Sequence, residues 1–208
     1  MLYDYLRVTY GENEPIFVAD LQYEGKSMNY IRQQIKKLTD NGMIKRYDTG
    51  IYFIPKKSIF KSGSQLSRDK VIEKKYLQEN GQRCGYIGGV MFANQLGLTT
   101  QVPAVCEVVT NKATNDCREV TLASSPLIIR RPRAKVTEEN FRQLQLLDLL
   151  KDIDFYAESD MEKQKEQILS YMNACGIRFT DLNAFLPYYP DKIYKNMYEV
   201  GLLSSVLA

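Results

Sequence analysis

The segment 15–55 contains four local patterns in an order that few small folds share. Ser27 is a favoured helix N-cap, because its hydroxyl can accept a hydrogen bond from a backbone N–H of the first turn. Gly42 is typical of the residue just beyond a helix, and Asp48-Thr49-Gly50 is typical of a hairpin turn. The patterns predict a short apolar helix, a turn, a longer helix and a hairpin at 15–21, 23–26, 27–42 and 43–55. This order predicts a winged helix-turn-helix.

The longer predicted helix has an apolar face and a polar face. The apolar positions at helical spacing are Met28, Ile31, Ile35 and Leu38. The polar positions are Asn29, Gln33, Lys36 and Lys37, with Lys26 before them and Arg32 at the flank. Asn, Gln and Arg side chains can form two hydrogen bonds to a base edge, and Lys can pair with phosphate. An isolated helix of this kind would be a solvated amphipathic helix, but the neighbouring helix, turn and hairpin favour contact with DNA.

Basic residues are concentrated around the same segment. Thirteen basic and four acidic residues lie between Lys26 and Lys75, a net charge of +9 against +3 for the whole chain. This segregation favours binding to a polyanion, although lysine-rich loops can also simply keep a domain soluble. With two bases of the predicted hairpin added, the predicted DNA-binding residues are Lys26, Ser27, Asn29, Arg32, Gln33, Lys36, Lys37, Lys45 and Arg46.

Composition excludes several kinds of chemistry. The chain has no histidine and four widely separated cysteines, so histidine-activated nucleophiles are excluded and no zinc-binding spacing is present. The Gly-Tyr-Ile-Gly-Gly segment at 85–89 lacks the Lys-Ser/Thr ending of a phosphate-binding loop. We therefore predict no catalytic residues, no metal and no cofactor. No apolar run reaches membrane-spanning length, which predicts a cytoplasmic protein without a membrane partner.

The remainder of the chain predicts a mixed α/β domain. Three β-rich runs at 105–110, 118–123 and 127–131 have the spacing of a small antiparallel sheet. Helical patterns occur at 68–80, 89–98, 137–153, 161–174, 180–186 and 191–206, and the polar stretch 58–67 is typical of a linker. The predicted fold class is therefore α+β. A winged helix-turn-helix occupies 1–60, and a mixed α/β domain with a helical C-terminal tail occupies 61–208.

Two features of this second part each have two interpretations. The glycines at 85–89 indicate close backbone packing or, alternatively, a loop that approaches a ligand. A second basic cluster could contact nucleic acid or an acidic partner, or it could form a solvated sheet edge. Its members are Arg130, Arg131, Arg133 and Lys135.

Three segments together point to a known family. They are the pattern at 15–55, the Gly85-Tyr86-Ile87 segment followed by Gly97-Leu98, Pro103 and the strand at 105–110, and Thr137-Glu138-Glu139-Asn140 leading into 144–148. In this order, over most of 10–155, the chain resembles the antitoxins of AbiE-type abortive-infection systems, the type IV toxin–antitoxin group. The resemblance implies a winged helix that binds and represses its own operator. It also implies a C-terminal domain that counteracts a nucleotidyltransferase-like toxin from the same operon, without enzymatic activity of its own.

Two other functions remain compatible with the residues. A nuclease-like domain would need carboxylates near the predicted strands, although no metal or nucleophile motif is present. Its candidates would be Glu107, Asp116 and Glu119, with Lys112 nearby. A ligand-sensing repressor could line a pocket with the glycine-rich segment at 85–89 and the tyrosine-rich tail, which contains Tyr188, Tyr189, Tyr194 and Tyr198.

Overall fold

The computed structural model of the chain describes residues 1–57 and 64–203. The chain divides into two compact units, Met1–Lys75 and Tyr76–Ala208. The predicted boundary after residue 60 and the first part of the predicted linker, 58–63, lie outside the described residues. Both units combine helices with small sheets, so the predicted α+β class is confirmed. Within the described ranges, the helices are all too short or too polar to cross a membrane.

The N-terminal part of the first unit, residues 1–53, packs two helices and a 3-10 turn against a small antiparallel sheet. Its elements are α1 (Leu2–Tyr10), β1 (Ile16–Phe17), the 3-10 turn (Val18–Asp20), α2 (Met28–Asp40), β2 (Lys45–Asp48) and β3 (Ile51–Phe53). The strands lie in the order β1-β3-β2. Leu6, Ile16, Ile31, Ile44 and Ile54 are fully buried and form the centre of this unit's core.

The apolar segment at 15–21 is not the helix that the sequence predicts. β1 occupies its first half, and only Val18–Asp20 makes a single 3-10 turn. Ile16 and Phe17 pair with Tyr52 and Ile51 of β3. Pairing with a strand that is distant in the sequence therefore overrides the local pattern, as β-branched and aromatic residues favour.

The long helix and the hairpin are confirmed. The Ser27 hydroxyl accepts a hydrogen bond from the Tyr30 N–H (3.3 Å), so Ser27 is the N-cap of α2. Gly42 has a φ of 69°, the left-handed conformation expected just beyond a helix. β2 and β3 pair across the predicted turn at 48–50. The order of α2, β2 and β3 therefore follows the sequence signals.

The predicted helix at 68–80 is shorter than expected and ends in a hairpin. The segment consists of α3 (Arg68–Ile72), a π-helical turn (Glu73–Leu77), β4 (Gln78–Glu79) and β5 (Gln82–Arg83). Asn80 and Gly81 connect β4 to β5 with φ angles of 50° and 79°. Asn-Gly strongly favours this two-residue turn. The dipeptide expected to end a helix therefore forms the tip of a hairpin.

The sheet of the second unit is mixed. Its strands are β6 (Gly85–Gly88), β7 (Cys106–Thr110), β8 (Cys117–Leu122) and β9 (Ser125–Arg130), in the order β6-β7-β9-β8. The expected antiparallel pairing occurs between β8 and β9 and also between β6 and β7. β7 and β9, in contrast, are parallel. The chain reverses twice between them, and the tight turn at Ala123-Ser124 returns β9 into the position beside β7.

The helices of the second unit mostly follow the predicted pattern. They are α4 (Gly89–Gln95), α5 (Phe141–Lys151), α6 (Ile153–Tyr156), α7 (Met161–Cys175), α8 (Phe179–Asn183) and α9 (Lys192–Glu199). The helix predicted from 137 begins only at Phe141, because Asn140 closes a turn before it: its Oδ1 accepts from the Thr137 N–H (2.8 Å) and its Nδ2 donates to the Lys135 carbonyl (2.9 Å). The helix predicted at 191–206 ends at Glu199, and 204–206 lie outside the described residues.

Helix α5 is the centre of the second unit's core. Five of its leucines are buried, namely Leu144, Leu146, Leu147, Leu149 and Leu150. They belong to one cluster with Ile168 and Met172 of α7 and with Ile193 and Met197 of α9. The apolar pattern of this helix is therefore explained by its own unit.

Gly85 is required by close packing. A Cβ at this position would lie 2.6 Å from the Val109 carbonyl oxygen and 2.9 Å from the Tyr76 carbonyl oxygen. Gly88 and Gly89 pack against the side chain of Glu107. The close-packing interpretation is therefore confirmed at Gly85, and Gly89 has a left-handed φ of 62° and a tight approach to Glu107, whereas a Cβ at Gly88 would make only ordinary contacts.

Candidate nucleic-acid interface

Helix α2 places the predicted polar residues together on its exposed side. Ile31 and Ile35 are at most 2% exposed and hold the opposite side of the helix in the core. The exposed residues, which we call the α2 surface, are Asn29, Arg32, Gln33, Lys36 and Lys37. Lys26 and Ser27 are exposed just before the helix. This arrangement is the one that the helical period predicts.

The bases of this region keep their charge available. In the described ranges, the structure shows no ion pair between a carboxylate and Lys26, Arg32, Lys36, Lys37 or Lys45. Cations that are not already paired can neutralise phosphates and release the counterions bound to a nucleic acid. The α2 surface therefore has the electrostatic property that a phosphate backbone requires.

One acidic residue limits the extent of the α2 surface. Asp40 is exposed on the same side of the helix, at its last residue. A carboxylate would repel a phosphate there, so the cationic and amide part of the surface lies in the first two and a half turns. The N-terminal part of α2, where Asn29, Arg32 and Gln33 lie, is therefore the part of this surface best suited to an anion.

The β2–β3 hairpin fixes the position of Arg46. The Arg46 Nε donates to the Asp48 carbonyl (3.3 Å), and its Nη2 donates to the Thr49 hydroxyl (3.0 Å). The Thr49 N–H donates in turn to the Asp48 carboxylate (2.6 Å), and the strand register shifts between Arg46 and Asp48. The guanidinium is therefore held at the tip of the hairpin while it remains exposed.

Other bases of the positive window are neutralised locally. Lys70 and Lys74 both pair with Glu14, and the Lys74 Nζ is 3.0 Å from a Glu14 oxygen. Although partial burial opposes the charge of Glu14, these two lysines lower the pKa of its carboxyl group. The net charge of the window therefore overstates the charge near α3, whereas Lys26, Arg32, Lys36, Lys37 and Lys45 form no ion pair with a carboxylate of the described residues.

Tyr30 is a candidate contact residue that the sequence analysis missed. Its side chain is 39% exposed, and the Lys26 Nζ lies 5.8 Å from the centroid of its ring. The spacing of four residues from Lys26 is the signal that could have revealed this pair. An exposed aromatic ring beside a lysine can pack against a sugar or a base while the lysine contacts a phosphate.

The carboxylates of the nuclease hypothesis are not brought together. Glu107 and Glu119 both lie opposite Ile128 of β9, so that a strand separates them. Glu107 pairs with Arg130, while the Lys112 Nζ donates to the carbonyl of a distant residue in β4. Among the residues that the structure describes, no three Cys, Asp or Glu side chains are grouped to hold a metal ion.

The two segments of the ligand-sensing hypothesis meet near the half-buried carboxyl group of Asp148. The Tyr86 hydroxyl donates to Asp148 Oδ2 (2.6 Å), and Tyr189 is buried with its hydroxyl donating to the Leu144 carbonyl (3.2 Å). Tyr188, Tyr194 and Tyr198 are exposed. Of the segment at 85–89, it is therefore Tyr86, through its hydrogen bond to Asp148, that contributes a polar group to this part of the second unit.

No protein-family model matches the chain, and no curated protein sequence is significantly similar to it.

Proposed function

We propose that the first unit is a winged helix-turn-helix domain that binds double-stranded DNA. The order of α1, β1, the 3-10 turn, α2, β2 and β3, together with the strand order β1-β3-β2, supports this proposal. In this arrangement α2 is the recognition helix in the major groove, and the β2–β3 hairpin is the wing. The exposed α2 surface with its unpaired bases is the observation on which the proposal depends.

The proposed contacts are of two kinds. Asn29, Arg32 and Gln33 read base edges, because their side chains offer paired donors and acceptors on the N-terminal part of the helix. The phosphate contacts come from Lys26, Ser27, Lys36, Lys37, Lys45 and Arg46. Arg46 is held by its hairpin before DNA arrives, so that little side-chain freedom is lost when it binds.

We further propose that this DNA is the operator of the chain's own operon. In this proposal the protein is a cytoplasmic autorepressor and an antitoxin, and the second unit counteracts a nucleotidyltransferase-like toxin with or without forming a stable complex with it. The resemblance to AbiE-type antitoxins supports this role. We propose a binding protein rather than an enzyme, because Glu107 and Glu119 are separated by a strand and because Glu107 and Asp116 pair with arginines.

A DNA titration tests the first part of the proposal. Fluorescence anisotropy with the upstream operon DNA should show that Arg32→Ala/Lys36→Ala weakens binding by about tenfold or more and reduces the salt slope by about one per lost phosphate contact. The matched control is Arg118→Ala/Lys163→Ala, which removes the same charge from exposed positions of the second unit. Equal affinity of both double variants for DNA would refute this placement of the interface.

Co-expression tests the antitoxin role. The gene next to this one should encode a nucleotidyltransferase-like protein that arrests growth alone and does not when the full chain is expressed with it. The Arg32→Ala/Lys36→Ala variant, supplied from an unrelated promoter, should still protect, because the proposal assigns neutralisation to the second unit. Continued growth arrest in the presence of the native chain would exclude the antitoxin role and leave the DNA titration unaffected.

A further inference from the structure

A polar cavity of about 390 Å³ lies in the second unit, where the end of β9 and the start of β8 meet α5. We call it the β9 cavity. Its charged lining residues are Arg130, Arg131, Arg133, Lys151, Glu107, Asp116 and Asp148. The volume is that of a small-molecule site, but such sites usually have mainly apolar walls. This cavity is therefore suited to a small and charged ligand.

The three arginines of the cavity differ in how their charge is balanced. The Arg130 Nε is 3.0 Å from Glu107 Oε1, and that glutamate is only 20% exposed, so this pair is part of the wall. Arg131 pairs with Asp116 at 3.3 Å, but Asp116 is 93% exposed. Exposed pairs of this kind contribute little stability and open readily. An anion can therefore replace Asp116 beside Arg131 at low cost.

Arg133 is the cation best placed to receive an anion. Its guanidinium lies 5.3 Å from the centroid of the Tyr189 ring, and its Nη1 donates to the Tyr188 carbonyl (3.2 Å). In the part of the chain that the structure describes, no carboxylate forms an ion pair with it. The ring and the carbonyl fix the orientation of the guanidinium, while its charge remains unbalanced by a direct partner.

Asp148 supplies an acceptor in the same cavity. Its Oδ2 accepts from the Tyr86 hydroxyl (2.6 Å), whereas its Oδ1 lies 3.8 Å from the Lys151 Nζ, which is too long for a hydrogen bond. The side chain is 16% exposed, and burial raises the pKa of this carboxyl group. One oxygen of a largely buried carboxyl group is therefore available to a ligand donor.

We propose that the β9 cavity binds a small phosphorylated metabolite with hydroxyl groups, of the class of sugar phosphates and nucleotides. Arg131 and Arg133 bind the phosphate group, because a planar guanidinium matches phosphate oxygens with paired hydrogen bonds. Asp148 accepts a hydrogen bond from a ligand hydroxyl. The inference concerns only the second unit and does not depend on DNA binding.

Calorimetry and thermal unfolding of the full chain test this inference. Ribose 5-phosphate and AMP should bind and raise the melting temperature, whereas ribose and adenosine should not. Arg133→Gln and Arg131→Gln should each weaken binding by about tenfold, the effect of losing a charge-assisted contact. Arg118→Gln is the matched control, since Arg118 is exposed on β8 and does not line the cavity.

Several results would overturn the inference. Absence of binding by both phosphorylated probes would exclude the site, and unchanged affinity in Arg131→Gln and Arg133→Gln would exclude these residues. Inorganic phosphate that binds as tightly as ribose 5-phosphate would exclude the proposed role of Asp148. Arg131 is half exposed and pairs with an exposed carboxylate, so Arg131→Gln should leave the unit folded. This variant therefore still tests the site if Arg133→Gln unfolds the unit.

Discussion

The α2 surface and the β9 cavity contain similar cations in different electrostatic surroundings. On α2 the bases form no ion pair with a carboxylate among the described residues, and they spread over an exposed helix face. In the cavity, Arg130, Arg131 and Lys151 each pair with a carboxylate, and together with Arg133 they line a small volume. The first arrangement suits a long polyanion and the second suits a small one. Thus the partners and the shape around a basic cluster decide its function, rather than the number of its charges.

The helices on which these regions depend differ in the same way. α2 buries Ile31 and Ile35 and leaves its other side to solvent, whereas α5 buries five leucines. Truncation of an exposed side chain in the interior of a helix changes stability little, whereas truncation of a buried side chain in a core helix lowers stability strongly. Six substitutions at five positions test and extend this contrast, beginning with the largest expected effect.

Leu147→Ala should cost the second unit about 2–5 kcal/mol of unfolding free energy, because Leu147 is fully buried and its truncation leaves a cavity. Lys36→Ala, on the exposed side of α2, should change the unfolding free energy of the first unit by no more than about 0.5 kcal/mol. Urea denaturation followed by circular dichroism measures both. Similar small losses in the two variants would contradict the described burial of α5.

Asn29→Ala should cost about 1–3 kcal/mol of binding free energy at one base pair of the operator and relax the preference there. The reason is that a side-chain amide can pair with one base edge and carries no net charge to offer a phosphate. Competition titrations with operators substituted at single positions measure this. A loss of affinity that is equal for all DNA sequences would instead indicate that Asn29 contacts the DNA backbone.

Ser27→Ala should lower the unfolding free energy of the first unit by about 1 kcal/mol, because the Tyr30 N–H loses its acceptor at the start of α2. Ser27→Asp preserves an acceptor and should restore most of that stability. Thermal unfolding compares the three proteins. If Ser27→Asp is as unstable as Ser27→Ala, the cap is not the cause.

Glu158→Gln should have the smallest effect on stability, and this effect should be detectable only at acidic pH. The Thr100 N–H, at 3.0 Å, and the Gln101 amide, at 2.7 Å, donate to the Glu158 carboxylate and lower its pKa to about 2 from 4.5. A carboxyl group whose pKa is lowered by folding stabilises the folded state at pH values above its ordinary pKa. This stabilisation is lost as the pH falls toward the pKa that the group has in the folded protein. Below about pH 4.5, the native melting temperature should therefore fall more steeply than that of the variant. If the melting temperatures of the two proteins fall equally from pH 6 to pH 3, this prediction is wrong.

Signals within a few residues predicted a large part of the first unit. The Ser27 cap, the helical spacing of Ile31 and Ile35 and the turn at 48–50 specify α2 and the hairpin, and the same periodicity places Asn29 and Gln33 on the side away from the core. The helical pattern at 137–153 predicted α5 for the same reason. In each case the interactions that define the element join residues close together in the chain.

Tertiary structure decided what depends on residues far apart. Ile16 and Phe17 became a strand because β3 was available to pair with them, and β9 became parallel to β7 because two reversals returned it there. The approach of Asp148 to Tyr86 likewise joins residues 62 positions apart. Charge neutralisation follows the same rule, since Glu107 lies beside Arg130 only through the pairing of β7 with β9. Sequence therefore determined which residues could bind an anion, and folding determined which of them remain free to do so.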